Sequence, residues 1–371
     1  VPDTPIPAVD FHASWAEIGS DAVAAVERVG ASGWYVLGAE VGQFERDLAA
    51  FHGVRHAVGC GSGLDAIEIL LRAAGIGRGD VVLTTPLTAF ATALAILRAG
   101  AEPRFADVDE QGLLDLDAVE RALASDDRIR AVVPVHLYGH ALDVARLKAI
   151  AEAHDCVVVE DAAQAIGARS DGEPVGATTV GAATSFYPTK NLGALGDGGA
   201  VLTNDDAVAA SARQLRDYGQ RAKYEHVVAG LNSRLDELHA AVLRSAVLPR
   251  LEAGTARRAA IADRYLDGLA NPRLRAEAAP AGSTSVWHLF PVFVSDAAER
   301  DAFREHLTAR GIATAIHYPI LASAQEALET PQPTAEFPVG DRLARTEVSL
   351  PIHPYLDDTA VARVVDACNA W

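Results

Sequence analysis

Cysteine is scarce in this chain: three residues in 371, at positions 60, 156 and 368. So few, so scattered, build neither a disulfide framework nor a zinc cluster, and no metal is expected. They suit a reducing compartment, and a cytoplasmic protein is expected. Methionine is absent altogether, for which the residues offer no physical reason. Basic residues are outnumbered, 32 Lys and Arg against 50 Asp and Glu, leaving a formal charge of −18 at pH 7. Without a basic stripe to neutralise phosphates, a general nucleic-acid binder is excluded. A small anionic substrate is not, because it needs only a few local cations. A long apolar run is also missing. The most hydrophobic stretch, "VVLTTPLTAFATALAILRAG" (81–100), holds four threonines, Pro86 and Arg98. Pro86 divides it into a strand and a helix, so no membrane span is expected. The opening "VPDTPIPAVD" lacks the basic cluster and apolar core of a targeting signal.

What is present reads as an α/β enzyme. The length allows a large core and two domains. Through the first two-thirds, strand-like and helix-like segments alternate: "RHAVGCG" (55–61), "LDAIEILLRAAG" (64–75), "DVVLTT" (80–85), "AFATALAILRAG" (89–100), "EPRFADVD" (102–109), "LDAVERALAS" (116–125), "IRAVVPVHLYG" (129–139), "LDVARLKAIAEAHD" (142–155) and "CVVVED" (156–161). Continuous apolar strands with helices between them predict a mostly parallel sheet covered on both faces. Ligands of such sheets sit beyond the carboxyl ends of the strands. A long helix over 236–270 then leads to "HLFPVFVS" (288–295), "AAERDAFREHLTARG" (297–311), "IATAIHYP" (312–319) and a last helix over 357–371. The expected division is a large domain over 1–254 and a small α+β domain over 255–371.

Three segments carry candidate chemistry. "GCGSGLDA" (59–66) is a glycine-rich turn between a strand and a helix. Backbone amides and the helix dipole there suit a phosphate, and a plain turn capped by Ser62 explains it equally well. A dinucleotide fingerprint fails, because Leu64 stands where the third glycine belongs. "VVVEDAAQA" (157–165) puts Asp161 at the end of a buried strand with Gln164 one turn later. A carboxylate there needs a cationic partner, unless it caps the next segment. "SFYPTKNLGALGDGGAV" (185–201) places Lys190 between two extended segments, with glycines at 193, 196, 198 and 199. Glycine lets the backbone pass close to a flat ligand or adopt positive φ. Alone, such a lysine is more often a surface charge. Together the three segments meet the needs of pyridoxal phosphate (PLP): amides and a hydroxyl for its phosphate, a carboxylate for its ring nitrogen, a lysine for its aldehyde.

With these residues in view, the chain resembles the DegT/StrS family of sugar aminotransferases, of the PLP-dependent fold type I. The resemblance runs over nearly the whole length, through "GWYVLGAEVGQFE" (33–45), "GLDAIEILLRAAGIGRGD" (63–80), "VPVHLYGH" (133–140), "VVEDAAQAIGA" (158–168), "SFYPTKNLGALGDGGAVLTND" (185–205), "NSRLDELHAAVLR" (232–244) and "IHYP" (316–319). It implies that Lys190 is the Schiff-base lysine and Asp161 the partner of the pyridine nitrogen. Gln164 would bond the ring hydroxyl, and Phe90 would stack on the ring. The amides of Gly63 and Leu64 and the hydroxyl of Ser185 would hold the phosphate. Asn232 would reach it from the neighbouring subunit of a homodimer with shared active sites. Tyr187, His317, Tyr318 and His353 would border a sugar, with Lys223 and Arg234 on its diphosphate. A packed loop histidine remains the other reading of His353.

The implied reaction moves an amino group from glutamate to a nucleotide-linked keto sugar by a ping-pong route. "GLDA" and "GWYVLG" resemble members acting at carbon 3 of dTDP-linked 3-keto-6-deoxyhexoses. A 4-keto sugar or a cyclitol ketone is the alternative substrate, and a non-catalytic regulatory protein the alternative class. Lys190 argues against the dehydratases of the family, which carry histidine there. Two departures stand out. "ILASAQ" (320–325) lacks the proline and histidine usual after "IHYP", and His239 stands where glutamine is usual.

Overall fold

The computed structural model describes residues 4–371. Seven strands form the main sheet: β1 (His56–Cys60), β2 (Val81–Thr84), β3 (Glu102–Phe105), β4 (Ile129–Val133), β5 (Val157–Asp161), β6 (Gly181–Ser185) and β7 (Gly199–Thr203). They lie in the order β1-β7-β6-β5-β4-β2-β3. From β6 to β3 every pairing is parallel, and β7 alone runs against both its neighbours, β6 and β1. Strands β1, β5 and β6 therefore all point their carboxyl ends to one edge. In register, Ser185 and Cys60 flank Gly199 from either side.

The strands read as continuous apolar runs because both faces are covered. Val82, Val133, Val159 and Val201 pack with Ile67, Leu70 and Ile96 on one face. Leu83, Val132 and Val158 pack with Val119, Leu123 and Leu147 on the other. The first four helices are α1 (Phe11–Ser32), α2 (Ala39–His52), α3 (Gly63–Ala73) and α4 (Phe90–Ala99).

Three segments differ from the sequence reading. The strand expected over 129–139 stops at Val133, since Pro134 has no amide to continue a ladder. The chain then tightens into a single turn at Leu137–Gly139, with Tyr138 at φ 62°. The long helix over 236–270 is not one α-helix. It runs as Glu237–Val242, a π turn at Leu243–Val247 and a 3-10 turn at Leu248–Arg250, then α-helix again over Leu251–Gly268. Pro249 lies within the irregular part and cannot donate to the preceding turn. The segment 312–319 forms no regular strand. It makes single bridges, Ile312 to Ile6 near the start of the chain and Ala315 to Ser349 in the small sheet, and contains a cis peptide between His317 and Tyr318.

A second core gathers Ile261, Tyr265, Phe290, Phe303, Val348 and Val364, and Ile6 joins it from the start of the chain. Its antiparallel sheet pairs β8 (Arg275–Ala276), β9 (Phe290–Phe293) and β10 (Glu347–Leu350). The division expected after residue 254 falls inside the helix Leu251–Gly268. Among the described residues, no helix is long and apolar enough to cross a membrane.

Candidate active site

The glycine-rich turn leaves β1 and enters α3. Ser62 caps that helix, its side chain accepting from the Asp65 amide at 3.1 Å. Gly63 and Leu64 then open the helix with amides free of intrahelical partners. Ser185, at the end of β6, lies against this turn: a Cβ on Gly63 would sit 2.7 Å from the Ser185 Cβ. Gly199 closes the cradle from β7, where a Cβ would come within 2.4 Å of the Ser62 carbonyl and 2.6 Å of the Gly63 nitrogen. Ser233 braces the same turn. It accepts from the Gly61 amide at 2.9 Å and donates to Asp65 at 2.7 Å. Its neighbour Asn232 is exposed.

Asp161 ends β5 and is buried. Its Oδ2 accepts from Thr92 Oγ1 at 2.8 Å and its Oδ1 from the Ala163 amide at 3.0 Å. The second bond closes a local turn at the end of β5; no helix follows there for the carboxylate to cap. Gln164 follows. Its Oε1 accepts from the Tyr138 amide at 2.6 Å, and its Nε2 donates to the Tyr318 hydroxyl at 3.2 Å. Tyr138 in turn donates through its hydroxyl to the His317 carbonyl at 3.1 Å.

Lys190 sits in the turn after β6, its own amide bonded to the Tyr187 carbonyl at 2.8 Å. Surrounding protein desolvates its amine and pushes the pKa down to about 8, while the negative charge of Asp161 pulls the other way. Desolvation disfavours the ammonium form, and the net shift says that it wins here. His317 and His288 feel the same lysine. Burial and then the Lys190 charge push His317 down to about 4, and His288 falls well below its ordinary value. Both imidazoles are neutral beside the amine.

The four glycines behind Lys190 act differently from one expectation. None of them has a positive φ. Their role is close approach: a Cβ on Gly193 would lie 2.4 Å from the Pro188 carbonyl oxygen, and one on Gly196 would lie 2.9 Å from His239.

The fold thus gathers Asp161, Gln164, Lys190, His317 and Tyr318 into one cluster, linked by the Gln164–Tyr318 bond and by the charge of Lys190 acting on Asp161 and His317, while Gly63 and Ser185 meet in the cradle at the start of α3. Phe90, half-buried, starts α4 two residues before Thr92. Tyr187 is 52% exposed. Lys223 and Arg234 lie elsewhere, lining a surface cavity of about 470 Å³ with Tyr218 and Tyr224. There Arg234 pairs with Asp217 at 3.0 Å. His353 is buried beside the Pro7 carbonyl, 3.3 Å from its Nε2. It lines a different cavity of about 600 Å³ that includes Pro188, Asn191 and Arg258. Sequence reading missed Thr92, Ser233, His288 and Tyr138. "TTPLTAFAT" offered several threonines and no way to choose among them.

The chain is 44% identical over its full length, and over 97% of the relative, to a dTDP-3-amino-3,4,6-trideoxy-alpha-D-glucose transaminase of Streptomyces venezuelae. It is 39% identical, over 98% of its length and 96% of the relative, to a UDP-N-acetyl-3-dehydro-alpha-D-glucosamine 3-aminotransferase of Acidithiobacillus ferrooxidans. Its fold superposes with a TM-score of 0.95 on the crystal structure of S. venezuelae DesV in complex with a ketimine intermediate. That pair is 44% identical and covers 99% of this chain and 98% of the other. Residues 16–369 match the DegT/DnrJ/EryC1/StrS aminotransferase family, and the chain belongs to it.

Proposed function

We propose that this chain is a PLP-dependent aminotransferase that moves an amino group from glutamate to carbon 3 of a dTDP-linked keto-6-deoxy sugar. The observation that carries this reading is the Lys190 amine, desolvated to a pKa of about 8 and in electrostatic reach of buried Asp161. The residues fit the cofactor in a second way. Gly63 and Gly199 admit no Cβ where Ser185, Ser62 and the start of α3 converge, a cradle suited to a phosphate. The relatives support the sugar, since the two compared by sequence are named for transamination of nucleotide sugars at the 3-position.

When bound, PLP supplies an electron sink for a carbanion at the substrate carbon. Lys190 binds the cofactor aldehyde and, once freed, carries a proton at the reacting carbon. Its lowered pKa leaves a useful fraction of free amine near neutral pH. Asp161, steadied by Thr92 and the Ala163 amide, holds a proton on the ring nitrogen. Gln164 keeps its amide donor toward the ring hydroxyl while its carbonyl anchors Tyr138. Phe90 stacks on the ring. Asn232, exposed on this chain, reaches the phosphate of a neighbouring subunit in a homodimer. Tyr187, His317 and Tyr318 border the sugar of the substrate; the family resemblance assigns its diphosphate to Lys223 and Arg234 and a further sugar contact to His353, although on this chain the three line cavities that include neither Lys190 nor Asp161. The chain works in the cytoplasm as a large unit over 1–254 and a small one over 255–371.

Purified protein is expected to absorb near the visible edge, with borohydride abolishing the band and Lys190→Ala lacking both band and turnover. An activity panel then tests the substrate: dTDP-linked 3-keto and 4-keto sugars, a UDP-linked 3-keto sugar and a cyclitol ketone, each with glutamate as donor. Preference for any but the first would overturn the assignment of sugar or nucleotide while leaving the chemistry.

A further inference from the structure

A hydrogen-bonded chain of side chains runs from the small sheet to His317, an imidazole that feels the charge of Lys190. Glu347 and Ser349 lie on β10, and both are buried. Glu347 Oε2 accepts from the His317 amide at 2.7 Å, and its Oε1 lies 2.5 Å from Ser349 Oγ. Ser349 Oγ is also 2.8 Å from His317 Nδ1. The geometry is pinned by backbone, since Ala315 and Ser349 exchange both their hydrogen bonds, at 2.9 and 3.3 Å. This leaves His317 Nε2 as the ring nitrogen without a partner among the described residues, on an imidazole that feels the Lys190 charge.

A serine hydroxyl carries one proton, so the chain has two self-consistent states. With Glu347 protonated, its O–H donates to Ser349, Ser349 donates to Nδ1, and Nε2 carries an N–H. With Glu347 ionised, Ser349 donates to the carboxylate, Nδ1–H donates to Ser349, and Nε2 presents a lone pair. We propose that Glu347, Ser349 and His317 form a proton wire that expresses the ionisation of Glu347 at His317 Nε2, a donor in one state and an acceptor in the other. Passing a proton outward breaks Nε2–H and bonds that proton to a basic atom of the bound substrate, moves the serine proton to Nδ1 and the carboxyl proton to serine, and leaves Glu347 a carboxylate. Every bond broken is matched by one formed, and the imidazole is never a cation.

The surrounding charges agree with this. Burial pushes Glu347 up to about 8, against its bonds from Ser349 and the His317 amide and the charges of Arg300 and Arg304. The phenols of Tyr138 and Tyr318, which interact with Glu347, are raised and stay protonated. His288, which interacts electrostatically with His317, stays neutral. Lys190 titrates in the same range as Glu347, so a test must cut the wire and leave the lysine. Its use, switching a proton donor toward a bound substrate, rests on the aminotransferase reading; the wire itself does not.

The test follows the imidazole nitrogens of His317 by NMR in full-length, PLP-loaded protein labelled with 15N-histidine, its signals assigned by their loss in His317→Gln. Across neutral and alkaline pH, wild type is expected to exchange the protonated and unprotonated nitrogens, with a midpoint near that of Glu347. Ser349→Ala should abolish the crossover and Ser349→Thr should restore it. Glu347→Gln, which still accepts the His317 amide, should lock Nε2–H at every pH. Loss of the alkaline limb of turnover in Ser349→Ala, without a matching rise in KM, would join it to catalysis. One tautomer throughout in wild type, or a crossover unchanged by Ser349→Ala, overturns the wire. A crossover in a protein that transaminates no sugar keeps the wire and sinks only the proposed function.

Discussion

Thr92 Oγ1 donates to Asp161 Oδ2 at 2.8 Å, joining the first turn of α4 to the end of β5 where both side chains are buried. Thr88 Oγ lies 3.1 Å from Thr92 Oγ1 and completes the file. With the Ala163 amide on the other oxygen, the carboxylate is held from two sides and cannot swing. Thr92→Val keeps the shape and removes the donor. It should cost about 1–3 kcal/mol, the usual penalty for a buried polar group left without its partner. Thr92→Ser should restore most of it. Denaturant midpoints check the stability, and PLP titration checks whether binding weakens in parallel.

Glycine at 199 is required by backbone, glycine at 63 by a side chain. A Cβ on Gly199 would strike the Ser62 carbonyl at 2.4 Å, which cannot move without unravelling the start of α3. On Gly63 it would meet the Ser185 side chain at 2.7 Å. Both alanine variants should be destabilised, Gly63→Ala by the ~1–3 kcal/mol of an overpacked site and Gly199→Ala by more. Thermal melts of the two variants rank them, and the reverse order would contradict the cradle described here.

The lowered pKa of Lys190 makes a signed prediction for the cofactor-free chain. Between about 8 and its ordinary value of 10.5, the unfolded lysine holds a proton that the folded one has released. Where the unfolded state binds more protons, stability rises with pH. The folded chain therefore bears the full cost of the buried charge below that window and sheds it on passing through. Stability of wild type relative to Lys190→Met should climb across the window and level off above it. Urea melts at a series of pH values measure that difference, and a flat curve would mean that the amine is not desolvated.

Gln164 anchors a residue of unusual backbone. Tyr138 is fully buried at φ 62°, and its amide finds its acceptor in Gln164 Oε1 at 2.6 Å. Gln164→Ala should strand that amide and cost about 1–3 kcal/mol. Gln164→Glu keeps the acceptor, and should hold stability while losing the amide donor to Tyr318. Comparing the two by denaturation and by PLP affinity separates the anchoring role from the cofactor contact.

Much of the site could be read along the chain because its parts are local. Lys190, Asp161 with Gln164, and "GSGLDA" each sit at the end of an apolar strand, and a strand-helix alternation dictates which ends share an edge. The partners of those residues were harder. Thr92 supports Asp161 from 69 positions away, and one threonine among four in an apolar stretch gives no sign of which one turns inward. Ser233 braces the Gly61 turn across 172 positions. Tyr138 falls within a strand on the sequence reading; Pro134 is a local reason for the ladder to end, but nothing local announces the positive φ that follows.

The sequence by itself determined the sheet, its helices and the three segments that carry cofactor chemistry, because periodicity and turn chemistry act over a few residues. It also located the lysine, whose glycines proved necessary for contact, not for torsion. Only the tertiary structure decided the environment of each group: that Lys190 is desolvated, that two histidines beside it are neutral, that Glu347 and Ser349 reach His317 from β10. Burial and pairing depend on what the fold packs against a side chain, and residues far apart in sequence supply that.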